Sequence, residues 1–341
     1  MPRPPENAIH SPMSEPPPHR PPRRKLSERL RSFTRRNGVE TEGFRVGLKP
    51  EKGWAKRNYE FFSRSLIPTM LRKRQAAHFE DAPEFGDVHF NEFEIVWIGH
   101  ASFLVRSPGH NILIDPNWAL WMGPVKRMRE PGLKVEQLPE IDLILISHAH
   151  FDHLHRPSLK RVARGQTVLV PKGVSGVLKG LDFGEVHELD VWDHHRHGDI
   201  EVVFTPSYHW GARFIADTHR GFGGFILRND HTSLYHCGDS AYFEGFTDIG
   251  QRYRIDTAIL PIGAYDCPSG REVHMNPEEA LRAFEDLGAA RMIPMHHETF
   301  PLGIGKPCEP LRRLTAAAES KNLAERVLSP REGEKVTLRK P

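Results

Sequence analysis

The sequence predicts an α/β protein, a sandwich of many short strands with helices between them in one region of roughly 250 residues. Three observations predict it. Short β-rich runs bounded by glycine or proline recur from about residue 88 to the C-terminus. One continuous apolar run, Ile141 to Ser147, has the character of a strand buried on both faces. A helical segment, Pro277 to Leu287, stands among the later strands, with Asn276 placed to cap its start and Gly288 its end.

The elements divide the chain into three parts. Residues 1–25 hold nine prolines and no hydrophobic period, so residues 1–50 read as a disordered arm rich in proline and arginine, in which Lys25 to Arg36 suit a short basic helix. The first 80 residues carry 18 basic and 8 acidic side chains, against 29 and 36 in the remainder, so a basic arm precedes an acidic body. Residues 51–85 read as a basic amphipathic segment. Within it Phe62, Leu66 and Met70 recur at i, i+4 and i+8 on one helical face, and Pro68 should kink or end the helix. Such a segment either packs on the main domain or lies on an anionic membrane surface. Residues 86–341 form the main domain. Its expected strands are 93–98, 102–106, 111–115, Ile141 to Ser147, Thr167 to Val170, Ile200 to Thr205, Gly223 to Leu227, Ser233 to His236, Thr257 to Ile262, Arg291 to Met295 and Lys335 to Leu338.

Composition narrows the class. With 27% charged and 38% hydrophobic residues, no stretch approaches the roughly 18 apolar residues of a spanning helix. The first 30 residues lack the apolar core of a signal peptide. Cys237, Cys267 and Cys308 are widely spaced and suggest no disulfide framework. A cytoplasmic protein is expected, with a peripheral position at the inner face of a membrane as the alternative that the basic segment suggests.

The strongest chemical signal is His148-Ala-His150-Phe-Asp152-His153, which directly follows the buried run Ile141 to Ser147. Side chains at the end of a buried strand emerge at a sheet edge, where α/β folds place their ligand sites. Four donors in six residues crowd a single tetrahedral ion and suit two neighbouring ones. Further donors follow other strands: His209, Asp239, which could bridge two metals, and His296. His194, His195 and His197, in a connection rich in glycine and aspartate, read as a solvated loop.

In this order the ligands resemble the metallo-β-lactamase superfamily, whose fold is a four-layer αββα sandwich. The motifs 97–103 (WIGHASF), 113–116 (LIDP), 209–225 (HWGARFIADTHRGFGGF) and 260–279 (LPIGAYDCPSGREVHMNPEE) resemble the branch of N-acylphosphatidylethanolamine-hydrolysing phospholipase D and the ascorbate-6-phosphate lactonases. The resemblance implies two zinc ions. His148, His150 and His209 would hold one, Asp152, His153 and His296 the other, with Asp239 between them and a hydroxide bridging the pair. It further implies that Asp152 and His274 serve catalysis, His274 as a non-ligand histidine that meets the substrate phosphate or assists the leaving group. His100 and Asp115 would orient ligands, and Trp210, Arg213, Tyr265 and His297 would lie around the substrate, with Arg213 and Arg271 as candidate anion clamps. The chain departs from the branch at His155, usually acidic there, and at His297 and Glu298, where the phospholipase has Trp and Gly.

The expected activity is metal-dependent hydrolysis of a phosphodiester, of phospholipase D type with a lipid substrate. The alternative is a lactonase or carboxyl-ester hydrolase of a small acidic metabolite. The arm lacks a recognised nucleic-acid module, so a non-catalytic metal or nucleic-acid-binding factor is disfavoured. The expected partners are therefore a small-molecule or lipid substrate and a membrane surface, and a dimer is one assembly compatible with the sequence.

Overall fold

The computed structural model describes residues 51–214, 217 and 219–340. The proline-rich arm and the basic helix expected within it lie outside the described residues. The main body opens with an antiparallel meander of β1 (Glu92–Gly99), β2 (Ser102–Ser107) and β3 (His110–Ile114). A small ribbon of β4 (Trp121–Met122) and β5 (Val125–Lys126) interrupts it. Parallel strands β6 (Leu143–Leu145), β7 (Thr167–Pro171) and β8 (Val186–Leu189) then extend the sheet from β3. The second sheet takes β9 (His194–His197), β10 (Ile200–Thr205), β11 (Gly224–Arg228), β12 (Ser233–His236), β13 (Thr257–Pro261) and β14 (Arg291–Met295), in that spatial order. The last strand, β15 (Lys335–Arg339), returns to pair with β1 and completes seven strands in the first sheet.

Alternation along β1 shows why two sheets form. Phe93, Ile95 and Trp97 face the second sheet and share one core with Val202, Phe204 and Phe225. Val96 and Ile98 point the other way and meet Leu159 and Val162 of the helix Arg156–Val162. On the far side Phe246, Ile249, Leu281, Phe284 and Leu314, from the helices Gly245–Arg252, Pro277–Asp286 and Glu309–Ser320, cover the second sheet. Each fully buried Phe or Leu contributes roughly 1.5–3 kcal/mol, so the period-2 pattern commits both faces of each sheet. The layers are therefore helix, sheet, sheet, helix, as the sequence leads one to expect.

Three expectations need correction. The regular ladder of β6 covers only Leu143–Leu145, although Asp142 N–H to Asn111 O (2.9 Å) and Ile146 N–H to Leu169 O (3.0 Å) continue the pairing on either side. His194 to His197 is no loop but the edge strand β9, held by register with β10 from His197↔Ile200 to His194↔Val203. The N-terminal helix buries Phe61, Ser65, Leu66 and Thr69, whereas Phe62 and Met70 remain 47% and 37% exposed. A π turn, Phe62–Leu66, closed by Ile67 N–H to Phe62 O, widens the helix just before Pro68, which has no N–H and whose ring crowds the preceding turn. The buried face is displaced by one residue, to Phe61, Ser65 and Thr69, at the same spacing. The segment packs on the body through Glu51 N–H and Arg57 Nη2, which both donate to Ser269 O at 3.1 Å.

The helix Pro277–Asp286 begins at a full capping box. Asn276 Oδ1 accepts from Glu279 N–H at 2.9 Å, and Glu279 Oε2 accepts from Asn276 N–H at 3.0 Å. Asn276→Ala should destabilise the protein by about 1 kcal/mol. Urea unfolding should show a lower midpoint with an unchanged slope.

Candidate metal centre

Strand ends from both sheets converge at one edge. Asp115, just past β3, adopts φ 45° and turns its carboxylate inward. Its Oδ1 accepts from Ser147 N–H at 2.7 Å and its Oδ2 from Ser147 Oγ at 2.6 Å, while Oδ2 also lies 2.7 Å from His153 Nδ1. This grip fixes the start of the 148–153 loop beyond β6. From the second sheet, His209 follows β10, Asp239 follows β12 and His296 follows β14. Of the seven described non-glycine residues with positive φ, five surround this edge: His100, Asp115, Ala264, His296 and Glu298. Non-glycine residues in that region cost about 1–3 kcal/mol each and persist where the surroundings over-determine them. Gly238 (φ 63°) permits the turn into Asp239, since a Cβ there would lie 2.5 Å from Gly223 O.

Two four-donor clusters result, with a smaller third group of Asp239, His274 and His296 beside them. His148, His150, His209 and Asp239 place one ligand atom each within 4.8 Å of one another, and so do His100, Asp152, His153 and His296. In the first, His150 Nδ1 lies 2.9 Å from His148 Nε2 and 3.2 Å from His209 Nε2. Donors bound tetrahedrally at about 2.0–2.1 Å lie roughly 3.3 Å apart, so these spacings suit a shared ion. Asp239 Oδ2 joins the clusters, lying 3.8 Å from His148 Nε2, 3.7 Å from His209 Nε2, and 3.2 Å from both His153 Nε2 and His296 Nε2. Asp239 Oδ1, His153 Nε2 and His296 Nε2 are buried without hydrogen-bond partners among the described residues. Buried polar atoms are normally satisfied, so orphans aimed at one point fit a cation.

Charge tells the same story. Burial pushes His148 and His209 well below the ordinary value and His150 down to about 4, leaving neutral imidazoles with free lone pairs. Burial would raise the carboxyls of Asp152 and Asp239, but the positive charge of the neighbouring histidines, His153 foremost, outweighs it and holds both well below the carboxylate range. Burial likewise opposes charge on His153 and His296. The carboxylates overcome it, so His153 stays well above the ordinary value and His296 reaches about 9. Without a metal, two imidazolium rings supply the positive charge that the carboxylates demand.

The remaining residues take distinct places. His100 Nε2 lies 3.0 Å from Asp152 Oδ2, which puts His100 inside the second cluster. His274 Nδ1 is 3.9 Å from Asp239 Oδ2, and its ring lies against those of His209 and His296. Trp210 packs edge-on to His150 and carries Arg271 over its face. Arg213 is turned to the loop backbone instead of to an open pocket: Nη1 donates to Ala149 O and Leu154 O at 2.7 and 2.9 Å, above the Phe151 ring. The Tyr265 hydroxyl donates to Glu309 at 3.3 Å. His297 is buried against Trp97 and lies behind the clusters. His155 caps the helix Arg156–Val162, its Nδ1 accepting from Ser158 N–H at 3.3 Å. Cys237 packs into the core between the sheets. Sequence reasoning passed over Ser147, although it directly precedes the hexapeptide. It also passed over His236, whose Nε2 lies 3.0 Å from Ala101 O, and the pair Thr299 and Glu332, in which Thr299 accepts from His100 N–H and donates to Glu332 at 2.7 Å.

A four-layer sandwich with paired imidazole and carboxylate clusters at one edge defines a metal-dependent hydrolase. The family described as a beta-lactamase superfamily domain matches residues 110–297, more than half of the chain, and the protein belongs to that superfamily. Similar proteins include an uncharacterized protein of Mycobacterium tuberculosis, 33% identical over 250 residues (69% of this chain, 67% of that protein). N-acyl-phosphatidylethanolamine-hydrolyzing phospholipase D 1 of Caenorhabditis elegans is 32% identical over 251 residues (65% and 70%). A metal-dependent hydrolase of Pyrobaculum arsenaticum is 30% identical over 241 residues (67% and 94%). Among solved structures, a metallo hydrolase from Ignicoccus hospitalis matches with TM-score 0.56 and 26% identity, covering 72% of this chain and 98% of that one. Among the described residues no helix is long and apolar enough to cross a membrane.

Because His153 and His296 must lose protons before ligating, metal loading at pH 7 should release two or more protons per chain. Calorimetric titration in buffers of different ionisation enthalpy measures this number, and affinity should fall as the pH is lowered.

Proposed function

We propose that the protein is a two-zinc phosphodiesterase of phospholipase D type, with an N-acylphosphatidylethanolamine-like lipid as its substrate. The observation that carries this reading is the pair of clusters joined at Asp239, with His274 facing the same point as a histidine in neither four-donor set. His148, His150 and His209 would hold one ion and Asp152, His153 and His296 the other, with Asp239 shared. The nitrogen-rich donor set suits zinc. When bound, such ions supply Lewis acidity and an activated water.

The chain's own residues do the rest. His100 and Asp115 hold Asp152 and His153 in place through the contacts described above. His274, pushed down to about 4 chiefly by burial, is neutral at pH 7. It therefore offers a hydrogen bond to a phosphoryl oxygen and acts as a donor, not as a proton-transfer acid. The relative from Caenorhabditis elegans, named for hydrolysing N-acylphosphatidylethanolamine, supports the lipid substrate. A lipid surface is further supported by the N-terminal segment, where Tyr59, Ile67 and Leu71 are 73%, 49% and 82% exposed beside Lys56 and Arg64. That segment is bonded to Ser269, in the loop that leads to His274.

The test is a panel of N-acylphosphatidylethanolamine, bis-p-nitrophenyl phosphate and lactones, run on wild type and His150→Ala with zinc content measured in parallel. Turnover of the phosphodiesters with about two zinc ions per chain supports the reading, and His150→Ala should lose both activity and zinc. Hydrolysis of lactones alone would replace it with the lactonase. In a separate test, His274→Ala should lower kcat by about 10²–10³ while keeping its zinc, and His274→Gln, which retains a donor, should recover part of the loss.

A further inference from the structure

We propose a second binding site, for a phosphate-bearing anion, in the cavity between the N-terminal segment and the back of the metal-bearing edge. The cavity measures about 310 Å³, and none of the seven candidate metal ligands lines it. Six basic side chains surround it against two carboxyls, Glu298 and Glu332. Three of the six are held in the wall. Arg74 pairs with Glu130 at 3.1 Å, Arg127 donates to the carbonyls of Arg129, Asn117 and Ile98, and Arg129 donates to Ala76 O and Gln75 Oε1. Carbonyl contacts position a guanidinium without cancelling its charge. Arg72 and Lys73, at the mouth, have no ion pair and no side-chain hydrogen bond among the described residues. Lys126 closes a third side, its ammonium donating to the carbonyls of Met70 and Arg72 and lying 5.4 Å from the centre of the Trp121 ring.

A second, independent feature points to a ligand. Glu332 is 3% exposed, and its Oε1 accepts from Thr299. Its Oε2 is buried, belongs to a cavity-lining side chain and has no hydrogen-bond partner among the described residues. Burial pushes this carboxyl up to about 7, so a large share carries the proton at neutral pH and can donate a hydrogen bond. The cationic surroundings show also at His78, which burial and then the charges of Arg129 and Arg331 push down. Cations converging from several sides suit a compact group with oxygens in several directions, which a phosphate is and a single carboxylate is not. Trp97 and Met128 give the cavity an apolar wall for whatever carries the phosphate. The anion is either a free phosphorylated molecule or the headgroup of a phosphomonoester lipid.

The experiment uses the metal-loaded full chain. Inorganic pyrophosphate is titrated by calorimetry, and binding is measured to phosphatidylcholine vesicles carrying phosphatidic acid or phosphatidylglycerol. Both are repeated on Arg72→Glu/Lys73→Glu and on the milder Arg72→Gln/Lys73→Gln, whose exposed positions leave the core untouched. A free anion predicts pyrophosphate binding that weakens about tenfold or more in the charge-reversed variant and by less in the neutral one. A headgroup predicts a preference for phosphatidic acid over phosphatidylglycerol that both variants lose. Pyrophosphate bound equally by wild type and variants reports the metal centre alone and overturns the proposal. So do vesicles bound without preference in the absence of a pyrophosphate effect, and so does the absence of binding to any probe.

Discussion

The Asp115 carboxylate accepts from the backbone N–H and the hydroxyl of Ser147 while touching His153, all within a fully buried space. Three short contacts to one side chain tie the end of β3 to the end of β6 and to the far side of the metal loop. Each hydrogen bond to a charged group contributes about 1.5–3 kcal/mol. Removing the carboxylate would leave Ser147 and His153 unsatisfied in a space that water does not reach. The loop residues between them, His148 to Asp152, inherit their directions from this anchor. The rest of the centre is built around a loop that is already set.

That rigidity matters because the centre is electrostatically costly. Asp239 is buried and Asp152 largely so among His100, His148, His153, His209 and His296, a grouping that water would otherwise solvate. Without an ion the carboxylates draw His153 and His296 towards their protonated forms, against the effect of burial. The same fold thus has two ways to neutralise one pair of carboxylates, protons or metal. The backbone strain at His100, Asp115 and His296 fits this picture, since side chains that would not choose these directions are held in them by packing.

Much of this was legible in the sequence, for identifiable reasons. Leu143–Leu145 is short but wholly apolar, and four donors directly beyond it have few structural uses. Asn276 and Gly288 bracket their helix as capping chemistry requires. β9 was not legible, because His194 to His197 has no apolar period and becomes a strand only through its partner β10. The buried face of the N-terminal helix was not legible either, because Ser65 and Thr69, which share it with Phe61, are polar and give no hydrophobic signal. Glu332 carries no local signal either, since its partner Thr299 lies 33 residues away and its burial is a property of the assembled fold. Arg213 illustrates a different limit: a basic residue near a metal motif looks like an anion clamp until its carbonyl partners are seen.

The division of ligands between the sheets has a mechanical meaning. His148, His150, Asp152 and His153 hang from the first sheet, while His209, Asp239 and His296 hang from the second. Apart from β15, the chain finishes the first sheet before it begins the second, so the protein is close to two successive halves pressed face to face. Neither half owns a complete set of donors. A cation pair at this edge would act as a clasp, joining the halves where their shared apolar interior ends and coupling the grip on the ions to the closure of the whole sandwich.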